Sequence, residues 1–358
     1  VQSQDEFKQD EFVVRAISSY LKNGFNGQDI AVLYRTNNQS RLLESKLRNK
    51  GISYSVYGGL RFYDRKEIKD LIAYLFLIHD HNNNLAFERI VNVPARKIGN
   101  ATLEKIRVIS TETGLSYYDS LEQLLSHSKS KPLSNFYNLI EDLKKKLTEA
   151  SNLTEYAQIV AEESGLLNFY EIEDQKEGNS EKGQSRVENI KELFASFSEQ
   201  EIVRNEQYFA EENDGIDNSN LAEMNISEQL SCFLDNVNLG VAEDSTSDSI
   251  DNVRLMTIHS AKGLEFKVVF VIGFEKNLLP LSRGVSFKID FDKERQEEEE
   301  ERRLAYVAIT RAKEDLFLCY AESRDIFISG MRTFVKTGRS KFINELDRKF
   351  IEIKVSRF

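Results

Sequence analysis

At 358 residues the chain is long enough for about two domains and for a core that needs neither disulfides nor a metal to fold. Hydrophobic residues at 40% and charged residues at 30% exclude a mostly disordered chain, and no apolar run approaches the ~20 residues of a membrane span. The net charge of −11 is unevenly spread: residues 171–250 carry 20 acidic against 5 basic residues, and the rest carries 43 basic against 39 acidic. An acidic segment farther away than a Debye length of about 8–10 Å leaves a basic face elsewhere intact, so nucleic acid stays among the possible partners. Two cysteines, Cys232 and Cys319, lie in apolar stretches and point to a reducing, cytoplasmic setting.

Ser3 and Glu6 have capping-box spacing before a helical stripe of Phe7, Val13, Val14, Ile17, Tyr20 and Leu21 that ends at Gly24. Ile30–Tyr34 is a continuous apolar run, expected of a strand buried on both faces. Ser40–Lys50 reads as a helix stopped by Gly51, and Ser53–Tyr57 as a second strand, which together predict a parallel sheet with crossover helices. From Asp64, with Glu67 as its capping partner, the pattern turns helical. It stays so through Ile68–Ile78, Leu103–Ile109, Leu121–Leu125, Phe136–Leu147, Leu153–Ala161, Val187–Phe197 and Ile226–Val237. The polar stretches Glu211–Asn220 and Ala242–Asp251 read as loops. Strand patterns return at Val253–Ile258, Lys267–Ile272 and Leu316–Tyr320, with a helix over Glu297–Ala312 and a short one near Phe342–Leu346. The economical arrangement is an α/β domain of residues 1–63 and 252–358 interrupted by a mostly helical domain of residues 64–251.

Two stretches could carry chemistry. Thr257–Phe266 (TIHSAKGLEF) links two buried strands and offers hydroxyls, an imidazole, a lysine, a glycine and a carboxylate; in a parallel sheet this loop is expected at the carboxyl ends of the strands. Hydroxyls and backbone N–H groups suit phosphate oxygens, whereas Glu265 suits ribose hydroxyls; a plain capped loop explains the composition equally well. In the second stretch, Glu299–Ala312, Arg311 falls at a helix end, where it is either a dipole partner or an anion clamp. The run Glu297–Glu301 reads as a solvated first turn, and no metal site is expected. Among the aromatics, Tyr34 and Tyr57 end strands and read as core, while Phe62 and Tyr63 beside Arg61 are the better candidates for stacking on bases.

These stretches resemble, in order, motifs of the UvrD/Rep/PcrA family of superfamily-one DNA helicases. VRLMTIHSAKGLEFKVVFVIG resembles motif V, and EEERRLAYVAITRAKEDLFL resembles motif VI. IAVLYRTNNQSRLLE and GGLRFYDRKEIKDLIAYL resemble the segments opening the second motor domain, NVPARKIGNATLEKI the duplex-contacting motif of the inserted domain, and RSKFINEL the closing helix. The resemblance implies a RecA-like domain (2A), P-loop-NTPase-like but without the P-loop, that holds a helical insertion (2B). It implies that Arg311 reaches the ATP γ-phosphate, that Glu265 bonds the ribose with Gly263 beside it, and that Thr257, His259 and Ser260 touch phosphates of single-stranded DNA. Arg35, Asn37, Gln39, Arg61 and Phe62 would lie along the same track, and Ile98, Gly99 and Thr102 would contact duplex phosphates.

One departure is Lys97-Ile98-Gly99 in place of the family's Gly-Ile-Gly, which puts a lysine where φ > 0 is needed. The other is that no G-x-x-x-x-G-K-[ST] and no Walker-B-like Asp-Glu pair occurs. ATP and Mg²⁺ are therefore expected to serve the full-length enzyme, with neither bound tightly by this chain alone, which is expected to be inactive. The expected partners are single-stranded and duplex DNA, the N-terminal motor domain, and repair or replication proteins, with no membrane. A stand-alone DNA- or protein-binding regulator, and part of a RecB/AddA-like helicase-nuclease, are the competing readings.

Overall fold

The computed structural model describes residues 1–178, 185–197, 224–244, 251–281, 291–328, 331–347, 349 and 351–355. The expected loop at Glu211–Asn220 lies outside them, as do residues 245–250 of the second. The chain divides into two compact units, one containing Val1–Phe62 and Asp244–Phe358, the other Tyr63–Gly178 and Arg186–Glu243.

The first unit is built on a five-stranded parallel sheet of β2 (Ile30–Tyr34), β3 (Tyr54–Tyr57), β4 (Val253–Thr257), β5 (Phe266–Val271) and β6 (Ala312–Leu318), in the order β3-β4-β2-β5-β6. β2 sits at its centre, and all five of its residues are buried. The period of two sends Ile30, Val32 and Tyr34 to one face, where they pack with Val13, Ile17, Leu43 and Leu47 of α1 (Glu6–Lys22) and α2 (Ser40–Asn49). Ala31 and Leu33 point to the other, against Leu304 and Ala308 of α12 (Phe291–Ile309). Helices on both faces are what an all-parallel sheet requires, and they explain the unbroken apolar strand.

A second, three-stranded sheet of β1 (Gln2–Asp5), β7 (Tyr320–Ile328) and β8 (Met331–Lys336) completes the unit. It corrects two expectations. The chain start is a strand, so α1 is capped by Asp5, whose carboxylate accepts the Lys8 N–H at 2.7 Å, and not by Ser3. The single strand expected at Leu316–Tyr320 is the junction of two, which pair with different neighbours on either side of the buried Cys319. The closing helix is a short 3-10 turn, Lys341–Glu345.

The described part of the second unit is helical: α3 (Lys66–His79), α4 (Asn84–Ile90), α5 (Asn100–Thr113), α6 (Tyr117–His127), α7 (Lys131–Lys146), α8 (Leu153–Glu163), α9 (Leu166–Glu177), α10 (186–197) and α11 (Ile226–Asp244). α3 is buried around most of its circumference, not on one stripe, and its N-cap is Arg65 in an extended conformation, whose side chain makes no capping bond, so Asp64 does not cap it. Its buried carboxylates are paired, as burial demands: Asp70 with Arg89 at 2.7 Å and with the Tyr170 hydroxyl, Glu67 with the Asn189 amide at 2.6 Å. Among the described residues no helix is long and apolar enough to cross a membrane.

Candidate nucleic-acid and nucleotide edges

The parallel sheet separates the residues of the first unit into two groups. β4 ends at Thr257 on the carboxyl edge of the sheet, and β5 begins at Phe266 on the amino edge. The stretch 258–265 therefore crosses the sheet, and only its first half lies at the carboxyl ends of the strands. Glu265 and Arg311 share the opposite edge, where the Phe266 N–H donates to the Arg311 carbonyl at 2.9 Å.

At the carboxyl edge, the Thr257 hydroxyl lies 3.0 Å from the Ser260 hydroxyl and accepts the Ser260 N–H at 3.3 Å, and the Thr257 carbonyl accepts the Ala261 N–H at 3.2 Å. Thr257 thus caps a tight turn whose tip exposes His259. Partial desolvation, followed by the Arg35 charge, holds the His259 pKa below its ordinary 6.5, against the opposing pull of Glu301 and Glu300. The imidazole is therefore neutral at pH 7, able to donate one hydrogen bond and to gain a second donor with a proton.

Three residues expected along the DNA track are committed elsewhere. Arg35 is buried in an ion pair with Glu301, its Nε 3.1 Å from both carboxylate oxygens and its Nη2 2.7 Å from Oε1, with side-chain exposures of 6% and 11%. The Leu281 N–H also donates to Glu301, at 3.1 Å. Glu301 is therefore no solvated first-turn residue, because α12 starts earlier than expected and carries it mid-helix into the domain. Gln39 accepts the Arg35 and Thr36 N–H groups, each at 3.0 Å, closing a capping turn, and a Cβ on Gly273 would stand 2.1 Å from its Nε2. Phe62 is fully buried, its N–H donating to Glu44 at 3.1 Å, so it presents no ring to a base. Asn37 stays half-buried in the same turn, its carbonyl accepting the Ser40 hydroxyl, and Arg61 lies over the Tyr54 ring at 5.6 Å.

At the amino edge, Arg311 is folded back on its own surroundings: Nε donates to the Val307 carbonyl at 2.9 Å, Nη1 to the Leu264 carbonyl at 2.8 Å, and Nη2 to the Thr310 hydroxyl at 2.9 Å. Glu265 is exposed and meets Lys313 at 3.3 Å; Gly263, between this edge and His259, adopts φ +87. A guanidinium and a carboxylate on one edge suit a phosphate and a ribose, but among the described residues no three His, Cys, Asp or Glu side chains gather as metal ligands do. The donor set fits part of a nucleotide.

In the helical unit, Gly99 is the N-cap of α5 and no side chain caps this end, so the first turn turns its N–H groups to the surface. Ile98 is buried, and its backbone is clamped at both ends by Asn92: the Ile98 N–H donates to Oδ1 at 3.1 Å and its carbonyl accepts from Nδ2 at 2.6 Å. Ile98 is thus a positioning residue, whereas Gly99 and the half-buried Thr102 stand at the helix end. Arg96 donates to the carbonyls of Ile90 at 2.9 Å and Ser164 at 3.1 Å, bracing the loop from beneath. Lys97 takes φ +61, the left-handed conformation a lysine adopts at a cost of about 1–2 kcal/mol. Lys97→Gly should consequently stabilise the protein by up to about 1 kcal/mol, and Lys97→Ala should not. Denaturant midpoints of the two variants check this; a less stable glycine variant would mean that the turn is not left-handed in solution.

A RecA-like parallel domain with a helical insertion, carrying an anion-suited turn on one strand edge and an arginine–carboxylate pair on the other, is the class these features define. Residues 1–323 match the UvrD-like helicase C-terminal domain, and the chain belongs to that family. It is 36% identical over 346 residues to the ATP-dependent DNA helicase PcrA of Staphylococcus aureus (strain Mu50), covering 96% of this chain and 43% of that protein. It is 38% identical to DNA helicase II of Haemophilus influenzae and 36% identical to that of Escherichia coli (strain K12), each over 355 residues, 97% of this chain and 44% of the relative. The chain thus spans less than half the length of the curated relatives it matches.

Proposed function

We propose that the chain is the second motor domain (2A, the first unit) and the inserted domain (2B, the second unit) of an ATP-dependent 3′–5′ DNA helicase that acts in the cytoplasm in repair or replication restart. The observation that carries this reading is that α12 and the 258–265 crossover each run from one edge of the same sheet to the other. Glu301 lies near Arg35 and His259, and α12 ends at Ile309, eight residues and about 12 Å farther along by its rise, two residues before Arg311. A grip on DNA phosphates and a contact to nucleotide would then belong to one rigid body, as stepwise translocation needs. Thr257, Ser260 and His259 would hold single-strand phosphates, and Gly99 with the first turn of α5 would hold duplex phosphates. ATP would supply the phosphoryl group whose hydrolysis drives the step. Glu265 would orient its ribose and Arg311 would turn from the Val307 and Leu264 carbonyls to the γ-phosphate. The phosphate cradle and the Mg²⁺ ligands would come from a domain bearing Walker motifs.

Binding of single-stranded DNA by the purified chain tests the reading. Affinity should be weak at ordinary salt, with a log–log salt slope of about −0.7 per phosphate contacted. A DNA phosphate beside His259 favours its protonated form, while in the free protein that form is disfavoured. Affinity should therefore rise as pH falls toward the lowered His259 pKa of the free protein, and His259→Ala should flatten this dependence. A pH-independent affinity identical in wild type and variant would refute the assignment. For duplex, Gly99→Val should weaken binding by adding bulk at the N-terminus of α5, where a Cβ itself meets nothing within 4 Å, and a melting curve on the variant separates this from the loss of a favoured N-cap residue.

A further inference from the structure

The side chains beside the Thr257–Ser260 turn suggest what faces the bases of a strand whose phosphates lie on it. Among the described strands β3 lies at the sheet edge and pairs with β4, in a register that sets Tyr57 opposite Met256, the residue before Thr257. Adjacent strands lie about 4.8 Å apart, so the end of β3 is an immediate neighbour of the turn. Gly58 fixes the contact: it adopts φ +74, and a Cβ there would stand 2.7 Å from the Ser260 hydroxyl. Tyr54 of the same strand is buried under Arg61, and Tyr34 at the end of β2 is fully buried. Tyr57 instead keeps 49% of its surface exposed, and Leu60, across the Gly58–Gly59 turn, keeps 61%. An exposed aromatic ring, an exposed aliphatic neighbour and two adjoining glycines thus border a cluster of hydroxyls.

We propose that Tyr57 is a stacking platform for one base of a single strand whose phosphate is held by Thr257, His259 and Ser260. This rests on the reading of that turn as a single-strand contact. The ligand is a nucleobase of either kind, because stacking uses the π-face that every base has and is tolerant of sequence. Tyr57 takes the part that sequence assigned to Phe62, whose ring is inside the protein.

The experiment compares an oligothymidylate with the same oligonucleotide made of abasic units, by fluorescence anisotropy at low salt, for the wild type, Tyr57→Ala and Tyr57→Phe. Tyr57→Ala should weaken oligothymidylate binding roughly 5- to 100-fold, the effect of losing one base–aromatic stack. It should leave binding of the abasic strand unchanged, and Tyr57→Phe should retain wild-type affinity. Melting of Tyr57→Ala should match the wild type, so that a binding loss cannot be a folding loss. Equal affinity of Tyr57→Ala and wild type for oligothymidylate, or an equal loss on both strands, would overturn the platform. If His259→Ala and Thr257→Ala still weaken both strands in that case, the phosphate-binding turn stands and only the platform falls. If all variants bind alike, the single-strand reading of this edge falls with it.

Discussion

Replacing Arg311 by alanine in the protein that joins this chain to a Walker-motif domain should lower ATP turnover by roughly 10³–10⁵, the contribution of arginine fingers in other phosphate-transfer enzymes. A planar guanidinium, always charged, can bind two oxygens of a transferring phosphoryl group at once, and lysine cannot reproduce that fork, so Arg311→Lys should also be slow. The competing role is visible in the structure: Arg311 staples the end of α12 to the carbonyls of Val307 and Leu264. Loss of two such bonds costs about 1 kcal/mol each and would appear as a lower melting temperature. A staple alone predicts lost stability with near-normal turnover, and a finger predicts the collapse of turnover as well. Measuring kcat and melting on the same variant separates them. A fall in kcat of less than about tenfold, equivalent to ~1.4 kcal/mol of barrier, would refute the finger.

The second large effect is expected on stability. Arg35→Ala should destabilise the first unit by about 3–5 kcal/mol, because it leaves the Glu301 carboxylate buried beside the Leu281 N–H without its guanidinium. Glu301→Ala should cost as much, stranding the guanidinium instead. Replacing both by apolar residues of similar volume should recover most of the loss, except for the N–H of Leu281, since a buried ion pair is worth little against a well-packed apolar pair. Denaturant unfolding of the three variants measures this. If Arg35→Ala loses less than about 1 kcal/mol, the pair is solvated and Arg35 returns to the list of DNA contacts. The variant also bears on His259, because the Arg35 charge is one cause of its lowered pKa, and removing it should move that pKa back toward 6.5.

Much of this protein is legible in its sequence because the signals are local. A strand buried on both faces must be apolar, and Ile30–Tyr34 and Val268–Val271 are unbroken apolar runs, so the parallel sheet follows from composition and period. The helical unit is announced by its 3.6-residue spacing, and the resemblance of Thr257–Phe266 and Glu299–Ala312 to helicase motifs needed no coordinates. What the tertiary structure decided depends on pairs distant in sequence or on which way a side chain turns. Arg35 and Glu301 are 266 residues apart, and nothing near either one shows that both leave solvent. Glu265 and Thr257 sit in one motif but on opposite edges of the sheet, because parallel neighbours force the chain between them to cross it. Tyr57 and Phe62 are five residues apart, and sequence reads the first as core and the second as a stacking candidate, whereas Phe62 is buried and Tyr57 is exposed. Side chains alternate along a strand and a short turn reverses the chain, so a single step decides which ring enters the core and which meets solvent.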